Sequence, residues 1–210
     1  MRTEVTEFKR KDLFEYYDSR TNPFLFVTAK IDITNIVNYC KKNRNHYATI
    51  GYFIYLVANE MDCFKYRKEN DKIYKYDKLY VNFTQMIDVD KIGFFSFKSD
   101  FNYNKFIEKF NKKQTEFKNK KENIKCGNDG EIWLSCCPWF EFSSLITPFD
   151  KSITIPQFTW SKFYNENEKT YTNLTIMGHH GFIDGYHISI FLQKLNDKIN
   201  KFDEIINKEV

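Results

Sequence analysis

The spacing of hydrophobic and polar residues along the chain switches repeatedly between that of a strand and that of a helix. Strict alternation places successive side chains on opposite faces of a strand, whereas apolar residues three and four positions apart share one face of a helix. The pattern therefore predicts a mixed α/β chain. The predicted strands cover residues 24–32, 72–76, 79–87, 91–97, 131–136, 155–163 and 171–177.

Helical spacing lies between these strands and after the last of them. Residues 8–17 form a short amphipathic helix, and Thr34 is expected to cap a second helix. The apolar face of that second helix comprises Ile36, Val37 and Cys40. Residues 47–64 are apolar on nearly all sides, which predicts a buried helix. Residues 101–121 are highly charged around a narrow stripe of Phe106, Phe110 and Phe117, so their lysines are expected to form a solvated face.

A turn rich in polar residues connects the last predicted strand to a final helix. The apolar face of this helix comprises Ile188, Phe191, Leu192, Leu195 and Ile199. The turn contains His179, His180 and Asp184, and Gly181 and Gly185 suit backbone that is tight or has a positive φ. Because neighbouring side chains of a strand point to opposite faces, one histidine is expected to face a site and the other to take part in packing.

Composition narrows the class of protein without indicating its chemistry. A chain of 210 residues is long enough for a full core, and no linker or repeat divides it, so a single domain over 1–210 is expected. The net charge of +4 is too small to indicate nucleic acid or an anionic membrane as a partner. The chain lacks an apolar run of the ~20 residues that span a bilayer, and its charged N-terminus is unlike a secretory signal.

The cysteines favour a reducing, cytoplasmic environment. They are Cys40, Cys63, Cys126, Cys136 and Cys137, an odd number of five without a C-x-x-C pair. This arrangement is typical neither of a disulfide framework nor of a zinc site. The adjacent histidines are expected to point apart, and the spacing H-E-x-x-H is absent, so no metal is expected.

Four segments, in the same order, resemble motifs of one known family. The pattern H-H-x-x-x-D-G at 179–185 is similar to the catalytic signature of the trimeric, acetyl-CoA-dependent chloramphenicol acetyltransferases. Residues 8–15 are similar to the family segment aromatic-x-R-K/R-E/D-x-F-E, residues 138–144 to P-W-x-x-F-x-S, and residues 156–163 to P-x-x-T-x-x-K-Y. The resemblance extends from about Phe8 to Asn196 and is weakest between 65 and 130.

The resemblance implies which residues carry out the chemistry. His180 matches the general base, and imidazole suits this role because its ordinary pKa of ~6.5 lies near neutral pH. Ser144 matches the serine that donates to the oxyanion of a tetrahedral intermediate, and Thr159 matches a threonine that assists it. Cys137 as a nucleophile is the less favoured alternative, because it precedes a proline in a predicted buried strand.

The same matches imply supporting and binding roles. Arg10 and Asp184 match a structural ion pair, and a buried aspartate needs such a partner to stay ionised. Lys162 matches a lysine that faces the coenzyme, whose phosphates attract cations. Tyr17 falls where the family has a tyrosine in the acceptor site.

The implied fold is a two-layer α/β sandwich with a mixed sheet, the CoA-dependent acyltransferase fold of the chloramphenicol acetyltransferases. The implied assembly is a homotrimer with active sites between subunits. The implied function is transfer of the acetyl group of acetyl-CoA to chloramphenicol, which inactivates the antibiotic. The chain departs from the family at Gly181-Phe182-Ile183, where Ala-Val-Cys is typical, and the bulk of Phe182 is expected to narrow the site.

Three alternatives stay open at this point. In the first, the protein is an acetyltransferase with another small hydroxyl compound as its acceptor, because the departures from the family motifs fall on the acceptor pocket. The chain is instead the acyltransferase core of a 2-oxo acid dehydrogenase complex, although the signature of such cores usually begins Asp-His rather than His179-His180. In the third case it is a non-catalytic relic of the fold that still binds the coenzyme.

Overall fold

The computed structural model describes residues 1–41, 45–123 and 130–207. The strands are β1 (Arg2–Glu4), β2 (Phe24–Asp32), β3 (Tyr66–Glu69), β4 (Lys72–Tyr76), β5 (Tyr80–Asp88), β6 (Lys91–Phe97), β7 (Glu131–Cys137), β8 (Gln157–Ser161), β9 (Tyr164–Glu166) and β10 (Lys169–His179). The main sheet has the order β2-β10-β8-β7-β5-β6, and β9 pairs with β10. The sheet is mixed, because β7 runs parallel to β5 and to β8. The other strand pairs of the sheet are antiparallel.

A layer of helices packs against one face of this sheet. The helices are α1 (Lys11–Asp18), α2 (Thr34–Cys40), α3 (His46–Glu60), α4 (Tyr103–Lys120), α5 (Gly185–Asn200) and α6 (Phe202–Ile206). Helix α3 lies among α2, α4 and α5 and contacts β5 and β7. The result is the expected two-layer α/β sandwich. The strands β1, β4 and β3 form a separate small antiparallel sheet.

The helix predicted over 47–64 is buried as expected but ends earlier. Asn45 caps α3 by accepting the N–H groups of Tyr47 and Ala48, and the helix ends at Glu60. A short 3₁₀ turn at Asp62–Phe64 follows and buries Phe64 as deeply as the helix buries its own side chains. The apolar pattern therefore continues beyond the end of the helix, since burial does not require helical backbone.

Thr34 is not the cap of α2 but its first residue. The carboxylate of Asp32 accepts the backbone N–H of Thr34 at 3.0 Å and its hydroxyl at 2.6 Å. An ionised carboxylate is a stronger acceptor than a hydroxyl group. Asp32, two residues earlier at the end of β2, therefore takes the role that the sequence assigned to Thr34.

The core between the two layers is largely aromatic. The ring of Phe83 on β5 stacks with Phe95 at 5.8 Å between centroids and meets Phe110 of α4 edge-on at 4.9 Å. All three rings are fully buried. Complete burial of such a side chain contributes about 1.5–3 kcal/mol, and favourable ring geometry adds to it. This is the core that fixes the sheet on which the site is built.

The strand register places a row of hydroxyl side chains across the face of the sheet that the helices leave open. Thr28 lies opposite Thr175, Thr175 opposite Thr159, and Thr159 opposite Ser135. The hydroxyl oxygens of Thr28 and Thr175 are 2.7 Å apart. The alternate residues, such as Trp160, are buried on the helix side. Thr159 therefore faces away from the core, toward the open face.

Candidate active site

The turn that carries the paired histidines is held at both ends. Strand β10 ends at His179, and α5 begins at Gly185 with Asp184 as its cap. The Asp184 carboxylate accepts the backbone N–H groups of Tyr186 at 3.1 Å and His187 at 3.2 Å. These N–H groups have no partner within the helix, so the cap satisfies them and fixes where α5 starts.

Gly181 is required by the close approach of α1. A Cβ atom at this position would lie 2.6 Å from the Cα atom of Phe14, a distance that side chains do not tolerate. At Gly185, the first residue of α5, a Cβ atom would meet nothing within 4 Å. The expectation of tight backbone therefore holds at Gly181 but not at Gly185, because only the first faces another helix.

His180 presents one ring nitrogen away from the turn. Its backbone N–H donates to the carbonyl oxygen of Pro23 at 2.8 Å, and its ring stacks on Tyr17 with centroids 3.9 Å apart. Nδ1 lies 3.1 Å from the carbonyl oxygen of Ile183. A carbonyl oxygen can only accept, so Nδ1 carries the proton and Nε2 keeps its lone pair. His180 is therefore arranged to accept a proton at Nε2.

Asp184 and Arg10 form an ion pair across the start of α5. Nη1 of Arg10 donates to Oδ2 of Asp184 at 2.7 Å. Nδ1 of His187 lies 2.7 Å from Oδ1, and since a carboxylate only accepts, that nitrogen is the donor. Burial acts to raise the pKa of Asp184, but the bonds from the His187 backbone, Arg10 and the His187 ring hold it well below its usual value. The carboxylate therefore stays charged at neutral pH.

His179 occupies a different environment from His180, as the strand alternation predicts. It is 1 % exposed and packs against Phe14 and Phe182, with ring centroids 5.0 and 5.2 Å away. Burial lowers the pKa of His179 to about 4. The ring is therefore neutral at pH 7 and belongs to the packing of the turn.

Phe182 does not narrow the open site, contrary to the expectation from its bulk. Its ring is 2 % exposed and stacks on Phe14 at 5.0 Å between centroids. Phe8 and Tyr66 also contact it, at 5.6 and 5.7 Å. The side chain points into an aromatic cluster beneath the turn, so its size is accommodated by packing on the His179 side.

The other residues predicted for the site make no described hydrogen bond with this turn. Ser144 is exposed within an irregular segment, residues 138–156, which is called the strap below. Thr159 lies on the face of β8 that the helices do not cover, and its side chain is nevertheless buried. Lys162 is exposed just after that strand. Within the described ranges, no hydrogen bond joins His180 to Ser144 or to Thr159. The described contacts thus join Arg10 to Asp184 and Tyr17 to His180, and they join none of the remaining three to this turn.

The strap exposes large apolar side chains. Trp139, Phe140 and Ile146 are 64 %, 52 % and 68 % exposed. Phe149, further along, packs against Phe24 at 5.3 Å and Phe26 at 6.0 Å between centroids, on the open face of the sheet. Where exposed apolar side chains form one patch, they mark a site of interaction more often than an inert surface.

The thiols are free where the structure describes them. Cys40, Cys63, Cys136 and Cys137 are unpaired, and Cys126 lies outside the described residues. Burial raises the pKa of Cys136 to about 12 and raises that of Cys137, so neither has thiolate character at neutral pH.

Within the described residues, no cluster of three or more His, Cys, Asp or Glu side chains is placed to hold a metal ion. None of the described helices is long and apolar enough to cross a membrane.

His187 is a part of the turn that the sequence did not reveal. The Asp184 carboxylate accepts the backbone N–H of His187, and Nδ1 of the His187 ring donates back to the same carboxylate, so each residue bonds to the other. Glu or Gln usually fills this third helical position in a capping box. A histidine there gives no recognisable signal, although the spacing Asp-x-x-His fits the geometry.

Comparison with known proteins agrees with the geometry. The family model for chloramphenicol acetyltransferase matches residues 1–196. Chloramphenicol acetyltransferases of Staphylococcus intermedius and Staphylococcus aureus are each 31% identical over 97% of this chain and 97% of their own. One from Campylobacter coli is 26% identical over 94% of this chain and 97% of its own.

Solved structures share the fold. A chloramphenicol acetyltransferase superposes with a TM-score of 0.82 at 21% identity, covering 95% of this chain and 100% of its own. A catalytic core of a 2-oxoacid dehydrogenase complex from Thermoplasma acidophilum superposes at 0.70 with 13% identity, covering 98% and 100%. The family match over nearly the whole chain, together with relatives at 31% identity, shows that this protein belongs to the chloramphenicol acetyltransferase family of acyltransferases.

Proposed function

We propose that the protein transfers the acetyl group of acetyl-CoA to a hydroxyl group of chloramphenicol, with His180 as the general base. The observation that carries the proposal is the contact of Nδ1 with the Ile183 carbonyl oxygen at 3.1 Å, which leaves the lone pair of Nε2 free to take a proton. The names of the relatives supply the acceptor and the group transferred.

The reaction then needs no covalent enzyme intermediate. Nε2 of His180 takes the proton of the acceptor hydroxyl group while the oxygen of that hydroxyl group attacks the thioester carbon. The carbon–sulfur bond of the resulting tetrahedral intermediate breaks, and the leaving thiolate recovers the proton from the imidazolium. In the proposal, the hydroxyl of Ser144 donates to the oxyanion, and Thr159 assists from the open face of the sheet.

The remaining residues support and bind. The charged pair Arg10–Asp184 fixes the start of α5 and thereby the turn on which His180 lies. Lys162, exposed after β8, is proposed to face the phosphates of the coenzyme. Tyr17 is proposed to line the acceptor site, because its ring already covers one face of the His180 imidazole.

We further propose that the site is completed between subunits of a homotrimer. Ser144 is exposed in a single copy and has no described bond to His180, and the strap around it exposes Trp139 and Ile146. A second copy that covers the strap explains both features. Light scattering should give three times the mass of the chain, and a stable monomer would count against the assembly and the shared site.

We propose that the protein is cytoplasmic. We also propose that residues 1–210 form one domain and that the reaction uses no metal ion. Free thiols such as Cys63 and Cys136 fit a reducing compartment. The proposed chemistry also needs no Lewis acid, because an imidazole and hydroxyl donors supply the proton transfers. Addition of a chelator should accordingly leave the rate unchanged.

An assay of thiol release tests the acceptor directly. Purified protein, acetyl-CoA and chloramphenicol should release free CoA thiol, and a sensitive host carrying the gene should grow on the antibiotic. Release with other hydroxyl compounds but not with chloramphenicol would move the assignment to another acceptor. Preference for dihydrolipoamide would favour a 2-oxo acid dehydrogenase role, and coenzyme binding without any turnover would indicate a non-catalytic protein.

A further inference from the structure

The tautomer of His179 follows from its neighbours. The backbone N–H of Gly181 donates to Nδ1 of His179 at 3.2 Å, which requires a lone pair on that nitrogen. The side chain is fully buried, and burial lowers its pKa to about 4, so the neutral ring holds a single proton at pH 7. That proton therefore lies on Nε2.

The carboxylate of Asp18 faces this proton. Nε2 of His179 is buried, and within the described part of the chain it makes no hydrogen bond of ordinary geometry. Oδ1 of Asp18 lies 3.4 Å from it, at the end of α1. Because a carboxylate accepts and does not donate, Asp18 favours the same tautomer that the Gly181 N–H requires.

Lys68 in turn orients Asp18. Its Nζ donates to Oδ2 of Asp18 at 2.8 Å, and each side chain is 23 % exposed. The backbone N–H of Lys68 donates to Oγ1 of Thr154, near the end of the strap, at 2.9 Å. Lys68 therefore links the helix that carries Tyr17 to the segment that carries Ser144.

We propose that Asp18, held by Lys68, is a positioning residue that fixes the tautomer of His179 and, through it, the turn that presents His180. The Gly181 bond to one ring nitrogen and the Asp18 carboxylate 3.4 Å from the other leave the buried ring a single arrangement. The Gly181 end of this arrangement sets the backbone directly after His180. The effect on turnover rests on the proposed function, whereas the tautomer itself does not.

The first variant is Asp18→Asn. Lys68 Nζ only donates, so it would hold the amide oxygen and turn the amide N–H₂ group toward Nε2–H of His179. Two donors then face each other, and either the Asp18 contact or the Gly181 bond is lost. We expect kcat/KM to fall on the order of tenfold, because the buried Nε2–H of His179 then faces a donor in place of the carboxylate.

The double variant Asp18→Asn/Lys68→Met gives the decisive comparison. Without Nζ the amide can rotate and present its oxygen to Nε2–H, so activity should recover toward that of Lys68→Met alone. The Lys68 backbone bond to Thr154 is untouched by this change. Asp71→Asn is the matched control, because Asp71 also pairs with Lys68, at 3.4 Å, yet its side chain is 95 % exposed.

Nitrogen-15 spectra of histidine-labelled protein read the tautomer without an assay. The chain has four histidines, so the ring signals can be assigned by single substitutions. Wild-type His179 should be protonated at Nε2, and Asp18→Asn should shift its signals while Asp71→Asn should not. This result in a protein inactive toward chloramphenicol would support the inference and reject the proposed function separately.

Two outcomes would overturn the inference. One is a wild-type His179 whose assigned signals show the proton on Nδ1. The other is a double variant that is no more active than Asp18→Asn, with equal thermal stability, since a purely structural role of Asp18 predicts no rescue.

Discussion

His179 and His180 are adjacent in sequence but differ in nearly every physical respect. The first is 1 % exposed, lies among aromatic rings and has a pKa lowered to about 4 by burial. The second is partly exposed, stacks on Tyr17 and keeps a free lone pair on Nε2. A step of one residue is enough for this difference, because His179 is the last residue of β10 and His180 begins the turn.

The comparison shows how one turn can separate support from chemistry. His179 is fixed by contacts within the core, and the Gly181 N–H ties its ring to the backbone that follows. His180 is held through its backbone and Nδ1, which leaves Nε2 unbonded by the described residues. The buried histidine therefore ties the turn to the packed residues around it, and the partly exposed one is the proposed base.

Removal of His180 should have the largest effect on activity. His180→Ala should lower kcat/KM by about 10²–10⁴-fold, equivalent to about 3–5 kcal/mol, because it removes the proposed general base. Thermal unfolding and light scattering should show an intact fold and assembly. His46→Ala, which replaces a histidine at the start of α3, serves as the control. If His180→Ala kept its activity and His179→Ala lost it, the roles of the two histidines would be reversed.

The buried histidine should instead make stability depend on pH. Its pKa is about 4 when folded and ~6.5 when unfolded, so between these values the unfolded state binds more protons. The stabilising contribution of the neutral ring is complete above pH ~6.5 and is lost as the pH falls toward 4, up to roughly 3 kcal/mol. Urea unfolding at fixed protein concentration should show a smaller loss in His179→Gln than in the wild type between pH 7.5 and 5. Equal losses in both proteins would contradict the assignment.

Asp184→Ala should weaken the turn that both histidines share. Loss of an N-cap typically costs about 0.5–2 kcal/mol of unfolding free energy, and Arg10 also loses its partner. Denaturant unfolding measures this cost, and activity should fall with it because the start of α5 is no longer fixed. Asp197→Ala, at an exposed position of the same helix, is the matched control and should behave as wild type. Equal effects of the two changes would show that the cap is unimportant.

The smallest effect is expected at the ring that covers His180. Tyr17→Leu removes an aromatic stack worth about 0.5–1.5 kcal/mol, so kcat should fall by up to roughly tenfold. Tyr17→Phe keeps the ring and should change KM for the acceptor more than kcat. Tyr16→Leu, at the exposed neighbouring position, is the control. If Tyr17→Phe lowered kcat as much as Tyr17→Leu, the hydroxyl rather than the ring would be responsible.

The sequence located long elements well and short ones poorly. The strand Phe24–Asp32 has the predicted bounds, and α4 covers Tyr103–Lys120 within the predicted 101–121. Strands β1, β3 and β9, of three or four residues, went unpredicted because so few residues show no period. Their pairing comes from neighbouring strands rather than from their own pattern.

The contact between Arg10 and Asp184 illustrates what a resemblance adds. The residues are 174 positions apart, and no local spacing relates them. The family motifs predicted the pair, whose 2.7 Å contact the structure contains. The roles assigned to Ser144, Thr159 and Lys162 stay proposals, since no described contact joins them to His180.

By itself, the sequence determined the bounds of the strand Phe24–Asp32, the different surroundings of the two histidines and the apolar face of α5, because each depends on the spacing of nearby residues. Only the tertiary structure decided that Asp18 faces His179, that Phe182 packs beneath the turn and that the strap exposes its large side chains. These features depend on the distance between elements that are remote in sequence. That distance is set by the packing of the whole core, and no local pattern contains it.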